Sequence, residues 1–320
     1  MNKLFEVTIE VTQRCPNQCI YCSSWSSPDK SEMLSRGTIF QCVDDAAMLG
    51  AQLINISGGE PMLRQDIAEI ADYIHRKGLK IRLYCSGIYY DGTYHTMPLN
   101  LLESIKEKID VLIFNYESFV PEVYSQIMGT PSTNLQLLEE SIKNAIQLGI
   151  TVEAHIVPMR FNFRQIPDTL ERLYAMGISR VSLLRLVPQG RVDKNDDKVI
   201  LSDEETLALK TMIDELSKKY PHDKIRLGKP SRSGKLTTCN TGTVRLAVRY
   251  DGFVFPCGAF KDGMEEFQGC RPDNVKEKRL AEIYESSAYI LKVREGLMEY
   301  YEGDVVEPCY GQHCRSLRHQ

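Results

Sequence analysis

Arg14-Cys15-Pro16-Asn17-Gln18-Cys19-Ile20-Tyr21-Cys22 carries three thiols with the spacing C-x3-C-x2-C. Three thiolates this close in sequence can hold three irons of a cubane [4Fe–4S] cluster. The fourth iron is then left without a protein ligand, and an open coordination position separates a catalytic metal site from a structural one. A zinc site would pair the C-x2-C with a second cysteine or histidine pair, and none lies nearby.

Outward from this loop, strand and helix patterns alternate. Residues 4–12 read as a strand before the cysteines, and residues 35–49 as a helix after them. Further strands are predicted at 52–57, 79–85, 110–115, 151–157 and 180–186, with helices at 66–77, 99–108, 135–148 and 166–175. Gly78, Gly149 and Gly177 stand where three of those helices stop. Six such units imply a parallel sheet with right-handed crossovers, closing as an open, six-stranded version of the (βα) barrel. In such folds the loops after the strand C-termini build the site, and the cysteine loop follows the first strand.

The second part of the chain differs in texture. Residues 187–201 read as a polar surface connection and 203–219 as an amphipathic helix. A basic Gly/Ser/Pro-rich stretch follows at 228–235. We therefore expect a partial barrel over 1–200, a helix and linker over 201–235, and a second domain over 236–320. In the last, residues 244–257 read as a β-hairpin turning at Asp251-Gly252, which brings Cys239 and Cys257 together. With Cys309 and Cys314, four thiolates would close a second [4Fe–4S] site with no open position, although a sulfur tetrad also suits zinc. Cys270 admits three readings: a substitute ligand, a thiol that returns hydrogen to a substrate radical, or an unpaired cysteine. Cys42, among apolar neighbours, reads as core. His313 lies between two candidate ligands and reads as a solvent-facing loop residue.

The 320 residues are 42% hydrophobic, enough for a barrel-sized core, and the net charge of −4 offers no global basic field for nucleic acid. Only Lys229, Arg232 and Lys235 form a local basic stretch. No apolar run approaches a membrane span, and the N-terminus is no signal peptide. Ten cysteines in such a chain imply reduced thiols and metal, hence a cytoplasmic, oxygen-sensitive protein.

At the cysteine loop the chain resembles the radical S-adenosylmethionine (SAM) enzymes. The resemblance implies that Cys15, Cys19 and Cys22 are cluster ligands and that Tyr21 is the aromatic residue before the third cysteine. It also implies that SAM chelates the free iron and is reductively cleaved to a 5′-deoxyadenosyl radical. Ser57-Gly58-Gly59-Glu60-Pro61 follows the second strand, and the resemblance makes Gly58, Gly59 and Glu60 the holders of the methionine amino group. Two glycines also allow close backbone approach to a ligand. Asn115, Glu117, Asn162 and Arg185 stand at strand ends where the family carries SAM contacts, and residues 187–191 match a segment along the adenine. Cys85-Ser86-Gly87 departs from the family's usual Thr-Asn-Gly, and Asn115 and Glu117 from its Ser and Asp.

The C-terminal part resembles the SPASM and twitch extensions of that family. The dense cysteine run of the full SPASM pattern is missing, so the shorter twitch form with one auxiliary cluster fits better. Together the resemblances cover about 3–200 and 236–316. They imply an α/β protein, a partial (βα)6 barrel with a C-terminal β-hairpin plus helix iron–sulfur domain, and an electron donor such as flavodoxin or ferredoxin. The implied substrate is a ribosomal peptide or protein, epimerised, crosslinked or oxidised. The rival reading is dehydrogenation of a small molecule such as an aminocyclitol or sugar. No leader-binding domain is read ahead of Leu4, so a peptide would pair along a free sheet edge. A non-catalytic electron carrier would need fully ligated clusters, which the three cysteines with a Gly-Gly-Glu-Pro turn do not give.

Overall fold

The structure, a computed structural model, describes residues 3–192, 196–227, 239–262, 266–302 and 309. The first strand, β1 (Glu6–Glu10), leads into the cysteine loop and then α1 (Arg36–Met48), whose N-cap Ser35 accepts from the Thr38 N–H. There follow β2 (Leu53–Ser57), α2 (Ile67–Arg76) and β3 (Lys80–Cys85). A small hairpin, β4 (Ile88–Tyr90) and β5 (Tyr94–Thr96), precedes α3 (Leu99–Ile105) and β6 (Val111–Asn115). Next come α4 (Pro121–Met128), α5 (Asn134–Gln147), β7 (Val152–Ile156), α6 (Ile166–Ala175) and β8 (Arg180–Leu183). The remainder is α7 (Asp203–Lys219), β9 (Ile225–Leu227), β10 (Arg245–Val248), β11 (Val254–Phe255), α8 (Leu280–Ser286) and α9 (Ala288–Glu302).

Six parallel strands run in the order β1-β2-β3-β6-β7-β8, the architecture read from the sequence. Sequence reading missed two parallel additions: β9 extends the β8 edge, and β10 pairs with β1 in the register Glu6↔Arg245 to Ile9↔Val248. The hairpin at Asp251-Gly252 forms as expected, with β11 antiparallel to β10. Its first strand therefore continues the barrel sheet. The hairpin at 88–96 and α4 were also not foreseen.

The helix-facing side of the sheet is apolar, with Val7, Ile9, Ile54, Ile56, Leu83 and Leu112 fully buried. They join Val43 of α1, Ile70 of α2, Ile142 of α5 and Leu170 of α6 in one core. Residues of opposite parity in the strands face the other way, and these include Thr8, Asn55, Arg82, Glu153, His155 and Ser182. One cavity is lined by Glu10, Ser57, Tyr84, Asn115, His155 and Leu184, from all six strands or their ends. A flat sheet would spread those strands over roughly 24 Å at ordinary spacing, so the sheet curls around the cavity. Among the described residues no helix is long and apolar enough to cross a membrane.

Candidate active site

The cysteine loop is held by four sets of contacts. Below it, the Cys15 N–H donates to the Ser27 carbonyl (3.1 Å). From α4, the Met128 and Ile127 carbonyls accept from the Gln18 and Ile20 N–H groups at 3.0 and 2.9 Å. From the segment after β8, the Arg191 guanidinium donates to the Cys19 carbonyl (3.1 Å). Gly58 and Gly59 close the base, where the Gly59 N–H donates to Thr12 O (2.6 Å) and the Glu60 N–H to Arg14 O (2.7 Å). A Cβ on Gly59 would lie 2.1 Å from the Arg14 carbonyl oxygen. The close approach that needs glycine is thus between this turn and the cysteine loop itself, while both glycines also line the cavity.

Cys15, Cys19 and Cys22 are free thiols facing one cleft of about 320 Å3. Burial raises the thiol pKa values of Cys15 and Cys19, and neighbouring thiolate charge raises them further. Asn17, between the first two cysteines, is buried with neither side-chain amide atom hydrogen-bonded, and the buried Ser26 hydroxyl on the same wall also lacks a partner. Unpaired buried polar groups are costly. Three thiols and unsatisfied polar atoms converging on a cleft are the donor set an iron–sulfur cluster and a polar ligand would satisfy. Loading must then displace the thiol protons.

Four of the expected SAM contacts form one network. The Tyr21 hydroxyl donates to Glu117 Oε1 (2.6 Å), and Asn115 Nδ2 donates to the Tyr21 hydroxyl oxygen (3.1 Å). The second Glu117 oxygen accepts from the Val157 N–H (2.7 Å), and Asn162 Nδ2 donates to the Glu117 carbonyl (2.8 Å). Tyr21 and Asn115 line the cleft, while Glu117 and Asn162 stand behind them. Burial pushes the Glu117 carboxyl up to about 7 against the pull of its donors. Glu60 is likewise raised to about 7 by burial. It accepts from the backbone N–H groups of Met62 and Ser86 and does not line the cleft. Arg185 lies elsewhere, on a second cavity of about 230 Å3 between the segment after β8 and α7.

In the C-terminal part, burial and then the charges of Cys309 and Cys239 push the Cys257 thiol up to about 11, so these three sulfurs are neighbours. The Thr241 hydroxyl faces the Cys257 sulfur and pulls the other way. Cys314 and His313 lie outside the described residues, as do Lys229, Arg232 and Lys235. Cys270 closes a two-residue turn with Phe267, through Gln268 and Gly269 at positive φ, and lines neither cavity. Cys42 is core, as read.

Sequence reading missed Glu10, Lys261, Tyr84 and His155 on the cleft wall. Glu10 Oε1 accepts from the Ser24 hydroxyl (2.8 Å) and pairs with the Lys261 ammonium, which also donates to Ser24 Oγ (2.8 Å). The one available signal was a charged residue ending a strand.

The sequence model of the Radical SAM superfamily matches residues 9–173, and that of SPASM, the iron–sulfur cluster-binding domain, matches 239–315. A probable GTP 3′,8-cyclase of Methanococcus maripaludis is 24% identical over 258 residues, covering 78% of this chain and 83% of the relative. A PqqA peptide cyclase of Ruegeria pomeroyi is 26% identical over 286 residues, covering 88% and 74%. Among solved structures, SuiB of Streptococcus suis bound to S-adenosylmethionine aligns with a TM-score of 0.72 and 14% identity, over 92% of this chain and 68% of that one. SuiB has also been solved with its precursor peptide SuiA, at a TM-score of 0.71 and 14% identity, over 92% and 67%. Hexahistidine-tagged anSMEcpe with bound AdoMet aligns with a TM-score of 0.67 and 13% identity, over 90% of this chain and 82% of that one. These structural likenesses show the same fold.

The chain belongs to the radical SAM superfamily. More particularly, it is a radical SAM enzyme with a C-terminal SPASM domain, whose cofactors are a [4Fe–4S] cluster, SAM and auxiliary iron–sulfur. The C-terminal match is to the SPASM model, where the cysteine count alone had favoured the shorter twitch form.

Proposed function

We propose that this enzyme modifies a ribosomally made peptide or protein, by epimerisation, crosslinking or oxidation of a residue. The observation that carries the reading is the reach of the PqqA peptide cyclase similarity, which extends over 88% of the chain. SuiB, solved with a precursor peptide, supports the same fold for such work. When bound, the reduced cluster and SAM supply hydrogen-atom abstraction from unactivated C–H bonds. The chain's own tasks are to carry the cluster on Cys15, Cys19 and Cys22, hold SAM along Gly58, Gly59, Tyr21 and Asn115, and keep water from the cleft. Cys239, Cys257 and Cys309, with Cys314, would ligate auxiliary iron. The strand β9, at the sheet edge, offers backbone groups to an extended peptide. A flavodoxin or ferredoxin supplies the electron.

A second reading, dehydrogenation or cyclisation of a small molecule, is favoured by the cleft of about 320 Å3 and by the similarity to a probable GTP 3′,8-cyclase. Anaerobic incubation with SAM, a reductant and candidate peptides separates the two. A peptide that loses two mass units, or gains one deuterium from solvent, supports the first. Turnover of GTP or an aminocyclitol, with every peptide inert, overturns it.

A further inference from the structure

Glu10 and Lys261 are 251 positions apart, yet they pair inside the cleft that the cluster cysteines line. Glu10 ends β1, and its side chain is 3% exposed. Lys261, at 12%, follows the one-turn helix Gly258–Phe260 just after Cys257. The segment that carries the lysine is tied down at two points. The Arg249 guanidinium donates to its carbonyl, and the neighbouring Asp262 carboxylate accepts from the Gly190 N–H (2.6 Å).

The pair is incomplete as a structural bridge. Glu10 Oε1 takes both donors, Ser24 and Lys261, while Oε2 is buried with no hydrogen-bond partner. Lys261 has three N–H donors and uses two, one on Glu10 and one on Ser24, leaving one. Glu10, a residue of the cleft lining, therefore keeps one unsatisfied buried acceptor beside a lysine with one N–H to spare. Their charges cancel, so the ligand that fits is a neutral dipolar group with an N–H next to a C=O. An anion such as a triphosphate would face the Glu10 carboxylate.

We propose that Glu10 and Lys261 dock the backbone of one extended substrate residue, Glu10 accepting from its N–H through Oε2 and Lys261 donating to the C=O of the same residue, which points the same way. This rests on the peptide reading above and names the contact that holds the peptide near the cluster. The link also makes the C-terminal domain a wall of the barrel's own cleft.

The test uses the reconstituted full chain with SAM, reductant and a library of synthetic end-blocked hexapeptides, and reads peptide-stimulated release of 5′-deoxyadenosine. Glu10→Gln with Lys261→Met in one chain removes the pair without stranding a buried charge. The peptide concentration for half-stimulation should rise about tenfold to a hundredfold, as loss of hydrogen bonds to charged groups implies. Exchanging the charges, Glu10→Lys with Lys261→Glu, should not restore it. If the exchanged pair responds like wild type, the contact is only a bridge between domains. If the neutral pair responds like wild type, water satisfies Glu10 and the docking role fails. A wild-type enzyme unresponsive to every peptide overturns the peptide reading itself, an outcome distinct from the other two.

Discussion

On the helix-facing side of the parallel strands stand Ile9, Ile56, Leu83, Phe114, Ile156 and Leu183, all fully buried. On the other side of the same strands stand Glu10, Asn55, Tyr84, Asn115, His155 and Ser182. Parallel sheets covered on both faces usually read as unbroken apolar runs. Here the alternation Val152-Glu153-Ala154-His155-Ile156 divides labour within one strand, the odd-facing side chains making a polar lumen and the even-facing ones a core. The outer face should therefore set stability, and the inner face and its loops should set chemistry.

The largest effect is expected where the inner mouth meets the cysteine loop. Gly59→Ala puts a methyl 2.1 Å from the Arg14 oxygen and 2.6 Å from that of Gln13, both backbone atoms that cannot swing aside. The loop must move, and the three thiols with it. Iron content after anaerobic reconstitution should fall with near-complete loss of SAM cleavage, while far-ultraviolet circular dichroism keeps its wild-type shape. Retention of a full cluster in Gly59→Ala would break the claim that this turn exists to brace the loop.

Next in size is the outer face. Ile56→Ala removes a fully buried side chain packed under the helices and should cost about 2–5 kcal/mol in denaturant unfolding. A cost below about 1 kcal/mol would mean that the two faces are not energetically distinct.

How much of this was legible follows from the same contrast. The strands with four or more alternating residues and the long amphipathic helices could be read, because periodicity reports burial. The cysteine spacing and Ser57-Gly58-Gly59-Glu60 could be read because each is local. Three-residue β9 could not, since Ile225–Leu227 is too short to show a period. Nor could the parallel pairing of β10 with β1 or the Glu10–Lys261 contact, which depend on segments more than two hundred residues apart. Arg185 had the expected sequence position, but the strand ends at Leu183 and the chain carries Arg185 to a different cavity.

A smaller effect is expected in the helix layer. Arg172 on α6 donates through Nε (2.7 Å) and Nη2 (2.8 Å) to the two oxygens of Glu139 on α5, and the Tyr116 hydroxyl donates to Oε1 (2.6 Å). Burial works to raise the Glu139 carboxyl, but Arg172 and Tyr116 outweigh it and hold it below the ordinary glutamate range. A depressed folded pKa gives stability that is present above the unfolded value and lost as pH falls through the folded one. Arg172 is half exposed, so Glu139→Gln should cost only about 1–2 kcal/mol at pH 7. That gap should close as acid is added in urea titrations. A gap independent of pH would assign the loss to packing.

The smallest effect at neutral pH is expected for His155, inside the lumen. Burial first, then the charges of Arg226, Arg82 and Arg180, push its imidazole down to about 3. It is therefore neutral throughout the working range, and His155→Gln should change stability at pH 7.5 by no more than about 1 kcal/mol. In acid the two proteins should part. Between the ordinary histidine value near 6.5 and about 3, the unfolded chain binds a proton that the folded chain refuses, so acid favours unfolding. The wild type loses this contribution as pH falls through that window, and His155→Gln, having nothing to protonate, does not. The variant should unfold at lower pH than the wild type in an acid titration followed by fluorescence. Identical acid midpoints would mean that His155 takes up its proton in the folded protein, and that the lumen is wetter and less positive than its three arginines imply.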